Sequence, residues 1–301
     1  MKNLLITILL TVTALISCDV YVQDDYEEQY VLESYLVANR ELPFVRLSTT
    51  SPALDFYDFE ETAVSDANIR IQLLEDGPGS AVDQTIFYTD ALPGIYTPTQ
   101  YHEVIPKRTY QIEINFPGST NLISAYTVVP DTFQILGGVR DSIIYQSSEQ
   151  LEITLSESSY PGRQNIFVFN ALGMRTMPQN LTPLYADLYE DSEDKEEELQ
   201  NFANNSSGII NEGNFQRNQD GSFTIKFPWI GIAFYRDNKI VANTLDDNIY
   251  DFLRSQEVQV GGSTLSPGEV QNIITHVKGG IGVFGSVASD TVETFVKIPI
   301  L

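Results

Sequence analysis

Thiols and imidazoles carry much of the chemistry a polypeptide can do unaided, and this chain has few of either. Its 301 residues include one cysteine, Cys18, and two histidines, His102 and His276. Neither histidine lies near the other or near a free thiol in sequence, so the short ligand spacing of a zinc site is missing. No G-x-S-x-G elbow occurs, so the strained serine nucleophile of that motif is not signalled. Gly279-Gly280-Ile281-Gly282 lacks the further glycine spacing of a dinucleotide loop and the lysine of a P-loop. Carboxylates are abundant, but glycoside hydrolysis needs two of them at a set separation in a cleft, which abundance does not supply. Asn218-Gln219-Asp220-Gly221 looks like half a calcium loop; Phe227 stands where the closing Glu belongs, and a hairpin turn is the better reading. These residues predict no enzyme, no cofactor and no dedicated metal site.

Two weaker candidates lie together. The run from Glu190 to Glu198 is dense in carboxylates and reads either as a solvated face or as a weak collector of calcium. Tyr185 and Tyr189 beside it are candidate contacts for a sugar or a partner protein, because aromatic rings anchor such interfaces. Both also suit ordinary anchoring of a loop base in the core, and the two readings stand open.

Cys18 takes its meaning from what precedes it. Met1-Lys2-Asn3 is a short basic start, residues 4–16 are largely apolar, and Ser17 is small. This is the layout of a secretory signal, and the apolar run is shorter than the about 20 residues a spanning helix needs. Leu15-Ile16-Ser17-Cys18 resembles the bacterial lipobox, in which the cysteine is lipidated and becomes the new N-terminus. The competing reading of Cys18 is a buried free thiol. With no other cysteine, the body has no disulfide to rely on and must hold together by burial.

The chain carries 17 Lys and Arg against 41 Asp and Glu, a net charge of −24. Such a surface repels phosphate backbones and argues against nucleic-acid binding. Residues 18–29 form an acidic linker, with Asp24, Asp25, Glu27 and Glu28 close together. They read as a spacer between lipid and body; acidic residues soon after the cysteine also resemble a signal for export to the cell surface.

Beyond the linker the period turns to that of strands. Residues 30–37, 43–48, 68–73, 84–88, 93–96, 108–115 and 125–129 alternate or are rich in β-branched and aromatic residues, and Gly and Pro turns divide them. That spacing predicts an immunoglobulin-like β-sandwich over 30–130. A second β-rich domain is expected over 131–301, with strands at 151–155, 165–169, 222–227, 230–235 and 239–243 and a glycine-rich final strand at 279–285. Residues 182–213 interrupt it as an acidic insertion or long loop with room for one helical turn, and the run from Glu190 to Glu198 within it is expected to be mobile and outside the core. One short amphipathic helix is predicted over 246–256, capped by Thr244, with Leu245, Ile249, Phe252 and Leu253 on one face. Ser266-Pro267-Gly268-Glu269 has the form of a second helix start. The fold class is therefore all-β.

The order of these features resembles an uncharacterised group of Bacteroidota outer-membrane lipoproteins, domain of unknown function family 4249. The lipobox is followed by Val31-Leu32-Glu33-Ser34-Tyr35-Leu36, by Pro43-Phe44-Val45-Arg46-Leu47 with Ser51-Pro52, and by Ala67-Asn68-Ile69-Arg70-Ile71. Then come Gly94-Ile95-Tyr96, Thr109-Tyr110-Gln111-Ile112 and Val129-Pro130. Tyr250-Asp251-Phe252-Leu253-Arg254-Ser255 and residues 279–285 complete the set. Ser34 stands where the family tends to have Gly, and His276 where Asn is common. The resemblance implies no catalytic residues. It implies an outer-membrane lipoprotein, on either face of that membrane, that assists a SusC-like TonB-dependent receptor in nutrient uptake as a cap or docking partner. A glycan- or peptide-binding adhesion module is the alternative.

Overall fold

The computed structural model describes residues 26–52, 55–260 and 273–299. The signal segment expected at 1–17, Cys18 and most of the expected acidic linker lie outside the described residues, as does the helix start expected at 266–269.

The first region holds β1 (Tyr30–Val37), β2 (Val45–Thr49), a one-turn helix α1 (Phe59–Thr62), β3 (Asn68–Leu74), β4 (Val82–Leu92), β5 (Ile95–Pro98), β6 (Thr109–Asn115) and β7 (Leu122–Val128). Alternation decides which side of each strand faces in: Tyr110, Ile112 and Ile114 of β6 are fully buried, while Gln111 and Glu113 point outward. β4 serves two sheets. Its residues from Val82 to Phe87 pair with β3, and those from Tyr88 to Leu92 pair with β5. One sheet runs β1-β2-β5-β4 and the other β4-β3-β6-β7. Leu32, Leu36, Leu47 and Tyr96 from the first share a core with Ile71, Ile86, Tyr110 and Ile112. This is the expected immunoglobulin-like β-sandwich.

The second region holds β8 (Ile135–Gly137), β9 (Ser142–Ile144), β10 (Leu151–Leu155), β11 (Ile166–Gly173), α2 (Pro183–Asp191), α3 (Lys195–Ala203), β12 (Asn204–Ser206), β13 (Ile210–Asn211), β14 (Phe223–Phe227), β15 (Arg236–Leu245), α4 (Asp247–Val260) and β16 (Ile281–Lys297). A small sheet, β14-β10-β8, packs Leu151, Ile153, Phe223 and Ile225 against Phe167, Phe169, Ile240 and Ala242 of the large sheet. The other side of the large sheet is covered by α4, whose Ile249 meets Ile166, Val168, Leu245 and Val283. The first half of β11 is thus buried on both sides, which is why Ile166-Phe167-Val168-Phe169 is a continuous apolar run instead of an alternating one.

Hydrogen bonding does not stop at residue 130. β16 pairs antiparallel with β15 from Leu245↔Val287 to Arg236↔Val296, and its first part pairs parallel with β1 from Val31↔Ile281 to Val37↔Val287. The last strand therefore joins the first sandwich to the second region in one continuous sheet. Gly282, at φ +105, is where the two backbones meet: a Cβ there would strike the Leu32 carbonyl. The bend expected in the glycine-rich segment is present, but the strand continues to Lys297.

Three other expectations are corrected. Residues 182–213 are not a bare loop but two helices and two short strands. Pro183 occupies the first turn of α2, and Asp194 caps α3 by accepting from the Glu197 N–H at 3.0 Å. Glu196, Glu197 and Glu198 then sit at the positive end of the helix dipole, so the charge run is a helix start. Residues 230–235 are not a regular strand: a 3-10 turn covers Trp229–Gly231, and Tyr235 donates its N–H to the Asn180 carbonyl. The cap of α4 is Asp246 and not Thr244, which ends inside β15.

Candidate functional site: an apolar face beside α4

The two parallel neighbours β1 and β16 place Val31, Glu33 and Tyr35 beside Ile281 and Val283 on one outer face. Strand alternation sends Leu32, Ser34 and Leu36 inward, so the residues between them must face out. α4 covers this face over β11, β15 and β16 but stops short of β1. What remains is a groove of about 620 Å³ floored by Val31, Ile281 and Val283 and walled by Phe252 and Ile273. Next to it Tyr35, Pro43, Phe44 and Arg46 border a second hollow of about 320 Å³, and Glu33 and Tyr35 line both. Tyr35 is 45% and Phe44 56% exposed, so two aromatic rings lie open side by side on this face of a chain whose net charge is −24.

The charges on this face neutralise each other. Glu33 pairs with Arg46 at 3.0 Å, and the Arg46 guanidinium lies 3.9 Å from the centre of the Phe59 ring. Burial, and then the Glu33 carboxylate, push the Tyr35 hydroxyl above the ordinary phenol range, with Arg46 opposing. Tyr35 is accordingly a neutral hydrogen-bonding ring at physiological pH. Aromatic anchors around a compensated ion pair are the composition of a contact surface.

The tyrosines singled out from sequence lie elsewhere. Tyr185 is buried on α2, edge-on to Phe202 of α3 at 4.8 Å between ring centres. Its hydroxyl donates to the Ile230 carbonyl at 2.7 Å and accepts from the Asn205 amide. It anchors the helix pair to the body. Tyr189 packs at the edge of the same cluster, and the Lys195 ammonium sits 4.9 Å from its ring centre. The helix pair thus spends the Tyr185 ring on internal packing, and the Tyr189 ring stays half-buried at its edge. The residues of the open face had one faint sequence signal, apolar Val31 and Tyr35 on the outward side of a strand whose other side was already apolar.

The remaining candidates are held in local structure. His102 is buried with Nε2 2.9 Å from the Tyr110 hydroxyl, and desolvation lowers its pKa below the ordinary imidazole value. His276 Nε2 lies 2.9 Å from an Asp251 carboxylate oxygen on α4. Asn218 to Gly221 form a turn in which the Asn218 N–H donates to the Ser222 carbonyl and Asp220 accepts from Ser222. Among the described residues no group of three His, Cys, Asp or Glu side chains is placed to hold a metal ion. A polar cleft of about 700 Å³ opens where β1 ends beside β16, lined by Asn39, Arg40, Gln134, Ser156, Ser289 and Asp290.

Residues 17–293 match the family described as Domain of unknown function (DUF4249). The chain belongs to this family. No curated protein matches it. Among solved structures, trypsin-activated alpha-2-macroglobulin from Escherichia coli is 9% identical, over 74% of this chain and 15% of that one, with a TM-score of 0.22. Three N-terminal domains of the bacteriophage RB49 Highly Immunogenic Outer Capsid protein are 11% identical, over 91% and 71%, at 0.23. Salmonella alpha-2-macroglobulin reacted with methylamine is 10% identical, over 90% and 15%, at 0.24. This family member therefore spans only a small part of either macroglobulin. Its fold rests on its own strand pairing and core.

Proposed function

We propose that this member of the family is a non-enzymatic Bacteroidota lipoprotein, anchored to the outer membrane through Cys18, that docks onto a SusC-like TonB-dependent receptor and assists nutrient uptake. The observation that carries the reading is the open apolar face of Val31, Tyr35, Phe44, Phe252 and Ile273. Contiguous exposed apolar surface on an otherwise charged protein marks a contact site. Its position suits a partner in the membrane. Gln29 lines the groove. A chain from Cys18 to Gln29 adds at most about 3.3–3.6 Å per residue, which keeps the face within about 40 Å of the anchor. A membrane-embedded protein is within that reach, and the neutral Glu33–Arg46 pair presents it with no net charge.

The full-length chain, purified from membranes in mild detergent, is expected to bring down a TonB-dependent receptor in stoichiometric amount. Phe44→Asp or Tyr35→Asp should reduce that recovery by about tenfold or more, the scale of an interface anchor, without changing Tm. Recovery of the lipoprotein alone overturns the reading. The polar cleft between Asn39 and Asp290 favours a second one, a surface module that binds glycan or peptide. Tight binding on a glycan array, lost on Asp290→Ala and unaffected by Phe44→Asp, would select it.

A further inference from the structure

Asp246, the cap of α4, is only 1% exposed, and no Lys, Arg or His forms an ion pair with it among the described residues. Its carboxyl joins three elements. One oxygen accepts from the Thr127 hydroxyl of β7 at 2.5 Å and the other from the Ile249 N–H of α4 at 2.9 Å. The Thr127 hydroxyl also meets the Ser286 hydroxyl of β16 at 2.5 Å, and the Asp246 N–H donates to the Ser286 carbonyl at 3.0 Å. Asn248 repeats the connection, donating to the carbonyls of Tyr126 and Phe284 at 2.7 Å each. This junction seats the start of α4 on the strands of both regions. Six residues further along the same helix, Phe252 forms a wall of the apolar groove.

The charged and titratable groups around Asp246 do not neutralise it. Asp247 adds like charge, and its own partner is Arg163, whose guanidinium reaches Asp247 at 2.6 Å and the Leu245 carbonyl at 2.9 Å. Tyr160 accepts from the Asp247 N–H, and its phenol is pushed up by burial and by both aspartates. β7 and β16 present only the hydroxyls of Thr127 and Ser286. His276 meets Asp251 further along α4. Burial raises the Asp246 carboxyl from 3.8 to about 6, Asp247 raises it too, and hydrogen bonds from Thr127, Ile249 and Ser286 hold it back.

We propose that Asp246 is an acid-strengthened latch: protonated, it fastens α4 to β7 and β16, and ionised, it loosens the helix start and with it the Phe252 wall, so that docking is favoured by mild acid. The consequence for docking rests on the function proposed above; the latch itself does not. A neutral carboxyl can donate into the Thr127–Ser286 hydroxyl pair and still accept from Ile249. The ionised form can only accept, and it leaves an uncompensated charge in the interior.

Backbone hydrogen exchange of the full chain at about pH 5 and about pH 7.5, corrected for intrinsic rates, reads the latch directly. Protection of the Ile249 and Tyr250 amides should be about tenfold greater at the lower pH, as linkage requires for this rise. In Asp246→Asn, whose amide keeps one donor and one acceptor, protection should be equal at both. The His276–Asp251 contact is unchanged in the variant, so the difference between the two proteins reads Asp246 alone. Equal protection in the wild type, or an undiminished pH dependence in the variant, overturns the proposal. If the variant fails to fold, carbon-13 titration of labelled aspartate carboxyls in the wild type decides: a midpoint near 6 at Asp246 supports the latch and one near 4 overturns it. A pH-dependent exchange without receptor recovery leaves the latch standing and removes the docking function; receptor recovery with pH-independent exchange does the reverse.

Discussion

A buried carboxyl without a cation loses its hydration and has only hydrogen bonds to replace it. At Asp246 the folded value, about 6, lies above the ordinary 3.8. Folding therefore favours the protonated form. Its contribution is fully present below the ordinary carboxylate range and is lost as pH rises through about 6, a difference of about 3 kcal/mol. Denaturant unfolding should show stability falling across that window in the wild type, and Asp246→Asn should flatten the fall and be the more stable protein at neutral pH. Tyr185 is the opposite case, a polar tip fully matched. Tyr185→Phe removes the bond to Ile230, but Asn205 still reaches the same carbonyl at 3.1 Å, so the loss should be only about 1 kcal/mol. The residue types leave both sites undecided. Tyr185 reads equally as a partner contact or as a core anchor, and Asp246 reads as the first residue of a helix capped by Thr244, until the neighbouring strands are in place.

At the scale of elements, the helix pair explains how a charge-rich segment becomes ordered. α3 directs Leu199 and Phe202 to the body, where they meet Leu181, Tyr185 and Phe234, and its carboxylates point away. Phe202→Ala should lower stability by about 3–5 kcal/mol, the range for emptying a buried aromatic site. Asp194→Ala, which removes only the cap, should cost about 1 kcal/mol. Chemical denaturation measures both, and a negligible effect of Phe202→Ala would mean that the pair does not contribute to the core. The strands were readable because alternation is a local property: residues 30–37 and 151–155 carry it within a few positions. α2 and α3 were not, because each is short, its apolar face is narrow, and the carboxylate count masks the periodicity.

At the scale of the whole molecule, the large sheet is closed by pairing residues about 250 positions apart in the chain, β1 with β16. Without β16, one edge of β1 is open along its length. A fragment of residues 26–130 should therefore fail to show a cooperative transition on its own, although it contains the whole first sandwich except that neighbour. The same argument applies at one atom: Gly282→Ala places a methyl against the Leu32 carbonyl at a left-handed φ and should destabilise the full chain by several kcal/mol. A cooperative fold for the fragment would show instead that the sandwich is independent of its last strand.

The alternation of apolar residues was enough to determine an all-β body, and the sequence alone gives the acidic charge balance and a lone cysteine that follows a run of apolar residues. These are properties of short windows or of totals, and no folding is needed to express them. The tertiary structure alone decided that the first and last strands lie side by side, that Tyr185 turns inward while Tyr35 and Phe44 stay open, and that Asp246 is sealed between β7, β16 and α4. Each depends on which distant segment covers a given side of a strand or helix. Burial, and with it the strength of every charge and hydrogen bond, is set by that covering rather than by the neighbouring residues in the chain.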